Sequence, residues 1–160
     1  MSDPRAAAVT VEEASPAGDD ARHCLDEYFR ELARRFEAGF DPAQSLDPTP
    51  AEFRPPKGVF LLLRLHGRPV GCGAFKAMPP DAAYLKRMWI APEVRGLGLG
   101  KRLLAELERR ARDAGYLRAR LETNQALTEA QALYLRCGYR EVAPFNAEPY
   151  AHHWFEKPLA

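Results

Sequence analysis

The sequence predicts a mixed α/β protein with one central sheet and helices on both of its faces. Two observations support this fold class: hydrophobic segments typical of strands are interspersed with segments of helical periodicity, and glycine or proline residues separate most of them. The 160 residues are enough for one domain with a substantial core. We therefore expect residues 1–160 to form a single domain, with a flexible N-terminus at residues 1–5.

The first third of the chain predicts one strand, one helix and a long connection. Residues 6–13 are expected to form a strand, because Val9 and Val11 alternate with the polar residues Thr10 and Glu12. Asp19 and Asp20 are expected to cap a helix that ends near Ala38. One face of this helix is expected to carry Cys24, Tyr28, Leu32, Ala33 and Phe36. Residues 39–57 are rich in proline and are expected to form a long loop.

The middle of the chain predicts three consecutive strands. Residues 58–65 are hydrophobic, residues 66–69 have the composition of a turn, and residues 70–78 return as the second strand of a hairpin. Residues 81–90 form the next predicted strand, which leads into a glycine-rich turn.

The last third predicts a helix, a strand, a second helix and two strands. Leucine and alanine recur at helical spacing after Leu99, and Gly115 is expected to end that helix. The remaining elements are, in order, a strand at residues 116–123, a helix at residues 127–137 that stops at Gly138, and strands at residues 139–143 and 152–157.

Composition narrows the class of protein and its compartment. The net charge of +1 gives no strong field that would attract nucleic acid or a membrane surface. No apolar run approaches the length of a transmembrane helix, and the N-terminus lacks the hydrophobic core of a signal peptide. Cys24, Cys72 and Cys137 are odd in number and scattered, which suits a reducing compartment. We expect a cytoplasmic protein without nucleic-acid or membrane partners.

The glycine-rich turn carries the clearest functional signal. Residues 88–102 read Met-Trp-Ile-Ala-Pro-Glu-Val-Arg-Gly-Leu-Gly-Leu-Gly-Lys-Arg, which is a strand, a turn with three glycines and a helix from Leu99. Free backbone N–H groups and the helix dipole both favour an anion at such a helix start. The segment therefore predicts a phosphate-binding site.

The spacing of the glycines excludes two common phosphate-binding loops. A Walker loop needs a hydroxyl residue after Gly-Lys, where this chain has Arg102. A dinucleotide fingerprint needs its third glycine one residue later than Gly100. The remaining pattern, Arg95-x-x-Gly98-x-Gly100, resembles the pyrophosphate-binding motif of the GNAT superfamily of acyl-CoA-dependent N-acetyltransferases.

A second motif strengthens this resemblance. Ala130-x-x-Leu133-Tyr134-x-x-x-Gly138-Tyr139 is similar to the GNAT signature in which a helix after the fifth strand supplies a tyrosine. The segments from the predicted hairpin to the end of the chain follow the order of a small GNAT enzyme. The resemblance implies a mostly antiparallel sheet that is splayed at its fourth and fifth strands.

The resemblance also implies the co-substrate and its contacts. It implies acetyl-CoA without a metal, with the pantetheine arm bound to the backbone of the fourth strand, as an added strand would be. The expected coenzyme-binding residues are Met88, Trp89, Ile90, Arg95, Gly96, Leu97, Gly98, Leu99, Gly100, Lys101, Arg102, Asn124, Ala130, Tyr134 and Arg136.

Tyr134 and Glu122 are the candidate catalytic residues. In similar proteins the amine attacks the thioester directly, and the tyrosine protonates or hydrogen-bonds the leaving thiolate. That proton transfer is uphill by about 1.5 pK units, or about 2 kcal/mol, because a thiol has a pKa near 8.5 and a tyrosine near 10. Many family members place a glutamate base where this chain has Tyr84. Glu122 is the nearest candidate carboxylate, and a salt-bridged structural role for it is the alternative.

Several other assignments are left open by the sequence. His152 and His153 are adjacent in a strand, so at most one is expected to face the site. Lys86 and Arg87 are expected to be exposed charges, with binding of a substrate carboxylate as the alternative. The acceptor is a small-molecule amine, an amino acid, or a peptide or protein amine, and similar proteins are often homodimers. The alternative functions are a non-catalytic acyl-CoA-binding sensor and a nucleotide-binding protein of another family.

Overall fold

One seven-stranded sheet organises residues 3–44 and 51–159, which are the residues described by a computed structural model. The strands are β1 (Val9–Glu13), β2 (Val59–Leu65), β3 (Arg68–Met78), β4 (Ala82–Ile90), β5 (Arg118–Thr123), β6 (Arg140–Val142) and β7 (His153–Pro158). The α-helices are α1 (Pro4–Ala8), α2 (Asp19–Arg35), α3 (Leu99–Asp113) and α4 (Thr128–Arg136), and Pro42–Gln44 and Pro92–Val94 are 3-10 helices. The order in the sheet is β1-β2-β3-β4-β5-β7-β6, and only the β4–β5 pair is parallel.

Helices cover both faces of this sheet, as the sequence predicted. Cys24 of α2 packs beside Cys72 of β3, and its thiol lies 3.7 Å from the Gly71 carbonyl. On the next residue of β3, a Cβ placed on Gly73 would lie 3.1 Å from the Leu103 side chain of α3. Because successive strand residues face opposite sides, α2 and α3 lie on opposite faces. Among the described helices, none is long and apolar enough to cross a membrane.

A bulge in β4 accompanies the splay that the resemblance implied. Cys72 pairs with Trp89 and Ala74 pairs with Lys86, so β4 contains one extra residue between these pairs. Arg87 lies there with a positive φ of 62°. The ladder between β4 and β5 pairs residues 82–84 with residues 118–120 and stops before either strand ends. The strands are therefore splayed beyond Tyr84.

The N-terminal prediction was wrong in two places. Pro4–Ala8 is a short helix instead of the start of the first strand, because the Asp3 side chain accepts a hydrogen bond from the Arg5 amide at 2.9 Å and Pro4 opens the first turn. The N-cap of α2 is Gly18, which makes no side-chain capping bond, and the two predicted capping aspartates lie in the first turn.

The end of α2 also differs from the prediction. The helix ends at Arg35 because Phe36 adopts an extended conformation with ψ of 135°. Phe36 packs against Phe40 instead, with ring centroids 5.7 Å apart. Ala33 was expected on the buried face and is exposed. Within the long connection, residues 45–50 lie outside the described residues, and Phe53 is buried.

The β2–β3 turn is shorter than the sequence indicated. His66 and Gly67 alone join the strands, with φ of 52° and 80°, and β3 already begins at Arg68. Positive φ at both central residues gives the turn the twist that a two-residue hairpin needs. The other predicted elements are present with ends displaced by one or two residues.

Truncation of Leu107 tests how the sheet and α3 depend on each other. Leu107 is fully buried against Gly73, whereas Leu117 is 57% exposed. We expect Leu107→Ala to lower the free energy of unfolding by about 2–5 kcal/mol, because it leaves a cavity in the core. Leu117→Ala should change it by less than about 0.5 kcal/mol. Urea denaturation measures both, and equal losses would contradict the described packing.

Candidate active site

A cavity of about 900 Å³, here called the slot, opens along β4 where β5 leaves it. Its walls come from α2, the end of β4, the glycine turn, the first turn of α3 and α4. The predicted residues that line it are Met88, Trp89, Ile90, Arg95, Gly96, Gly98, Leu99, Gly100, Lys101, Ala130, Tyr134 and Arg136. The splay therefore brings both sequence motifs to one cavity.

The edge of β4 that faces the slot is formed by backbone. On the side of β4 away from the slot, the Ala91 amide donates to the Val70 carbonyl of β3 at 2.8 Å. Because backbone groups alternate in direction along a strand, those of Ile90 and Met88 point away from β3 and toward the slot. The Ile90 carbonyl accepts a hydrogen bond from Nε of Arg95 at 2.9 Å.

The glycine turn presents a row of backbone amides at one end of the slot. Gly98 is the N-cap of α3 with φ of 77°, and the first helical bond runs from the Arg102 amide to the Gly98 carbonyl at 3.1 Å. The amides of residues 96–101 thus lie ahead of the first intrahelical donor. The Arg95 amide is different, because it donates to Pro92 at 3.3 Å. The expected row of donors therefore begins one residue later than the sequence suggested.

Two residues predicted beside this turn lie away from the slot. The Arg102 guanidinium donates to the Ala6 carbonyl at 3.2 Å. Leu97 packs against the hydrophobic core. Lys101 and Arg136, by contrast, both line the slot.

A chain of ion pairs lines the slot. Arg95 lies 2.5 Å from Glu31, and Arg35 lies 3.5 Å from the same carboxylate. Arg35 also pairs with Glu129 of α4 and donates to the Ala126 carbonyl at 3.0 Å. The chain connects the glycine turn, α2 and α4, and the sequence patterns gave no signal for it.

A second cavity of about 120 Å³, the inner cavity, adjoins the slot on the α2 face of the sheet. Aromatic side chains of Phe36, Phe40 and Tyr150 stand at its wall, and Glu122 and Glu148 contribute carboxylates. The residues that line both cavities are Tyr28, Leu32, Met88, Leu127, Ala130 and Tyr134. A molecule in the slot and a molecule in the inner cavity would therefore meet at this shared boundary.

Tyr134 reaches this boundary from α4, on the face opposite α2. It packs against Phe155 with ring centroids 5.7 Å apart and is 8% exposed. No described residue forms a hydrogen bond with its hydroxyl. Burial raises the pKa of Tyr134, and the nearby Tyr28 and Glu122 raise it further. The neutral phenol is the form that this site favours.

Glu122 lies in the inner cavity with only 6% of its side chain exposed. The Tyr84 hydroxyl donates to Oε1, and Nζ of Lys86 lies 3.9 Å from Oε1. Within the described ranges, Oε2 is buried and has no hydrogen-bond partner. Burial raises the pKa of Glu122, against the opposing effects of the Lys86 charge and the Tyr84 hydrogen bond. A buried carboxylate with one bare oxygen can accept a proton.

The prediction that Lys86 and Arg87 are exposed was wrong. The Lys86 side chain is 10% exposed and Arg87 is 5% exposed, and both line the inner cavity. The bulge explains the burial of Arg87, whose guanidinium lies 4.9 Å from the ring centre of Phe29 on α2. The ring of Tyr84 lies beneath Lys86, 4.7 Å from its Nζ.

The histidines and Asn124 are engaged elsewhere. His152 accepts a hydrogen bond from the Gln125 amide at 3.0 Å, His153 lies 2.9 Å from Glu141, and neither lines the described cavities. Asn124 lines the inner cavity instead of the slot. Its amide donates to the Tyr150 carbonyl at 2.8 Å, and its oxygen accepts from the Ala126 amide at 2.9 Å. Asn124 therefore holds two loops together.

Comparison with known proteins identifies the family. The Acetyltransferase (GNAT) family matches residues 24–139. The chain belongs to this family. It is 33% identical over 157 residues to an IAA acetyltransferase of Azospirillum brasilense, covering 94% of this chain and 98% of that protein.

Solved structures agree on the fold. A GNAT-family acetyltransferase from Staphylococcus aureus superposes with a TM-score of 0.81 at 20% identity, covering 96% of this chain and 100% of that one. An N-acetylglutamate synthase from Neisseria gonorrhoeae, solved with coenzyme A and N-acetyl-glutamate, gives 0.69 at 18% identity, covering 95% of this chain and 35% of that one.

Sequence reasoning within this GNAT fold missed three site residues. Tyr28 was noted only as part of a helical face, and it lines both cavities. Glu148 and Asn146 lie in the connection between β6 and β7, which carries no recognisable motif. Their positions depend on how this connection folds back over β4 and β5.

The Glu122 environment predicts a pH dependence of stability. Because its folded pKa is raised, the folded protein holds this proton more tightly, and the resulting stabilisation is lost as pH rises above the ordinary value of 4.5. The difference in unfolding free energy, Glu122→Gln minus wild type, should therefore increase between about pH 4 and pH 8. Urea denaturation at several pH values measures it.

Glu156 provides a control of opposite sign. A hydrogen bond from Arg120 lowers the pKa of Glu156, so its stabilisation is present at neutral pH and lost on acidification. The corresponding difference for Glu156→Gln should decrease as pH rises. Slopes of the same sign for the two variants would contradict the assigned environments.

Proposed function

We propose that this protein transfers an acetyl group from acetyl-CoA to a primary amine by direct attack in a ternary complex. The observation that carries the proposal is that the buried Tyr134 lines both the slot and the inner cavity, while the buried carboxylate of Glu122 lines the inner cavity beside it. Family membership supports acyl transfer, and a structural neighbour was solved with coenzyme A.

The slot fits the thioester carrier in shape and chemistry. Its volume of about 900 Å³ suits a molecule as large as acetyl-CoA. The backbone of Met88 and the amide of Ile90 can pair with the amides of a pantetheine arm, whereas the Ile90 carbonyl already accepts from Arg95. A Cβ on Gly96 or Gly98 would meet nothing within 4 Å, so the turn leaves space for a diphosphate against its amides. Lys101 adds a positive charge at the same end.

Glu122 is proposed as the general base. A lysine-type amine with a pKa near 10.4 costs about 4.6 kcal/mol to deprotonate at pH 7, whereas an α-amino group near 7.8 costs about 1 kcal/mol. A carboxylate whose pKa is raised by burial shares the proton more effectively with either amine. The bare Oε2 of Glu122 is the acceptor atom in this proposal.

Tyr134 is proposed to stabilise the leaving thiolate. Tyr134 lines the boundary and packs against Phe155. Its phenol is neutral at pH 7, as an ordinary tyrosine is, and burial raises its pKa further. A neutral phenol can donate a hydrogen bond, or its proton, to sulfur as the carbon–sulfur bond breaks. The raised pKa of Tyr134 widens the pKa gap for full proton transfer to the thiolate, and desolvation of the thiolate, which raises the thiol pKa, offsets this.

Thiol release from acetyl-CoA in the presence of a panel of amines tests the reaction. The proposal predicts free coenzyme A thiol with at least one amine. Binding of acetyl-CoA without thiol release for any amine would instead support the non-catalytic acyl-CoA-binding alternative.

Tyr134→Phe tests the proposed role of the hydroxyl. We expect turnover to fall about 100-fold with little change in coenzyme affinity, because the lost hydrogen bond forms mainly in the transition state. Tyr116→Phe is the matched control, since the Tyr116 hydroxyl donates to the Lys57 carbonyl at 2.6 Å outside both cavities. Unchanged turnover in Tyr134→Phe would reject the role.

Two neighbouring cations test the diphosphate site. Lys101 lines the slot, whereas Arg102 is directed toward Ala6. Titration calorimetry should show coenzyme A binding about tenfold more weakly to Lys101→Ala, a loss of about 1.4 kcal/mol. Arg102→Ala should bind as the wild type does. Equal weakening in both variants would mean that general charge, and not this site, attracts the coenzyme.

A further inference from the structure

We infer that Tyr84 is a positioning residue for the proposed base, and that it acts through a directed chain of hydrogen bonds from Trp154 through Asn146 and Tyr84 to Glu122. The chain fixes Oε1 of Glu122 and leaves Oε2 as the proton acceptor. This inference rests on the proposed function of Glu122.

The direction of the chain is set at Asn146. The indole N–H of Trp154 can only donate, and it lies 2.9 Å from Oδ1 of Asn146. The Glu148 amide also donates to Oδ1, at 3.3 Å. Two obligate donors on one atom identify it as the oxygen, so the NH₂ group of Asn146 faces the other way.

The direction is then passed to Tyr84. The Asn146 NH₂ group donates to the Tyr84 hydroxyl oxygen at 2.9 Å. The Lys86 ammonium, another obligate donor, lies 3.4 Å from the same oxygen. Both neighbours supply protons to this oxygen, so the hydroxyl proton is directed to Oε1 of Glu122.

The chain spans the place where the sheet opens. Tyr84 is the last residue of β4 that pairs with β5, and Glu122 lies two residues beyond its partner Arg120. Trp154 of β7 is directly opposite Glu122 in the β5–β7 ladder. Side chains therefore connect β4, β5 and β7 where backbone bonds between β4 and β5 have ended.

Several groups face Glu122, and a measurement must separate the effect of Tyr84 on its pKa from the effects of the others. They are Tyr84 and Lys86 from β4, Glu148 from the β6–β7 connection, Tyr134 from α4 and Tyr28 from α2. Lys86, Tyr84 and, to a smaller extent, the Asn146 amide favour the ionised carboxylate, and Glu148 disfavours it. Removing the Tyr84 hydroxyl leaves the Lys86 charge in place, so the expected effect is a shift of titration and not its loss.

Carboxyl ¹³C NMR of glutamate-labelled protein tests the inference without an acceptor amine. Glu122→Gln assigns the resonance. In Tyr84→Phe the Glu122 pKa should rise by about one unit, because the carboxylate loses a hydrogen bond. Asn146→Ala should shift it in the same direction, because this variant removes the donor to Tyr84 and the smaller effect of the Asn146 amide on Glu122 itself. With the most active amine of the panel, the acid limb of kcat/KM should move to higher pH by the same amount.

Tyr139→Phe is the matched control. Tyr139 donates to the buried Glu108 at 2.9 Å, and Lys157 donates to the same carboxylate at 2.9 Å, so this variant loses an equivalent bond outside the site. Its Glu122 titration and its acid limb should equal those of the wild type.

An unshifted Glu122 resonance in both Tyr84→Phe and Asn146→Ala would overturn the inference while leaving the base intact. A shifted resonance with an unmoved acid limb, or wild-type activity in Glu122→Gln, would reject Glu122 as the base and the inference with it. Acetyl transfer itself fails only if no amine of the panel releases thiol from acetyl-CoA.

Discussion

The early end of pairing between β4 and β5 is the constraint on which this structure depends. The two strands share three residue pairs and then part, and the bulge at Arg87 shifts the register of the adjoining β3–β4 ladder. Opposite the bulge, Gly73 has no side chain because Leu103 and Leu107 of α3 occupy that space. Close packing of α3 on one side of the sheet thus coexists with an opening beside it, and the opening becomes the slot.

Two buried glutamates with similar neighbours differ in how completely their carboxylate oxygens are hydrogen-bonded. Glu108 is bonded at one oxygen by Tyr139 and at the other by Lys157. Glu122 lies near a tyrosine and a lysine as well, yet its Oε2 is without a hydrogen-bond partner among the described residues. Leaving a buried polar atom unpaired costs about 1–3 kcal/mol, so such an atom needs a reason. In the proposed function, the reason is the substrate proton that Oε2 accepts.

Local patterns in the sequence predicted much of the fold. Periodicity identified the main strands and helices in the correct order, since each reflects a buried face formed by nearby residues. The short helix Pro4–Ala8 was missed because the strand pattern of Val9 and Val11 was extended back over the alanines that precede them. The turn between β2 and β3 was predicted to be two residues too long because Pro69 suggested a loop. Pro69 lies within β3, and only His66 and Gly67 form the turn.

Site residues could be predicted only where they belong to a short sequence motif. Tyr134 and the glycine turn were found through spacing within short segments. The contact between Tyr84 and Glu122 joins residues 38 positions apart and depends on the parallel register. The burial of Arg87 depends on the extra residue in β4, which no pattern of hydrophobicity marks. Contacts of this kind belong to the tertiary structure.

The ion-pair chain that lines the slot has a thermodynamic consequence for any anion that binds there. The Arg95 guanidinium already forms an ion pair with Glu31 and donates a hydrogen bond to the Ile90 carbonyl. A guest that recruits Arg95 gains only the difference between the ion pair it forms and the one it displaces. The displaced Glu31 remains beside Arg35, so its carboxylate keeps one positively charged partner.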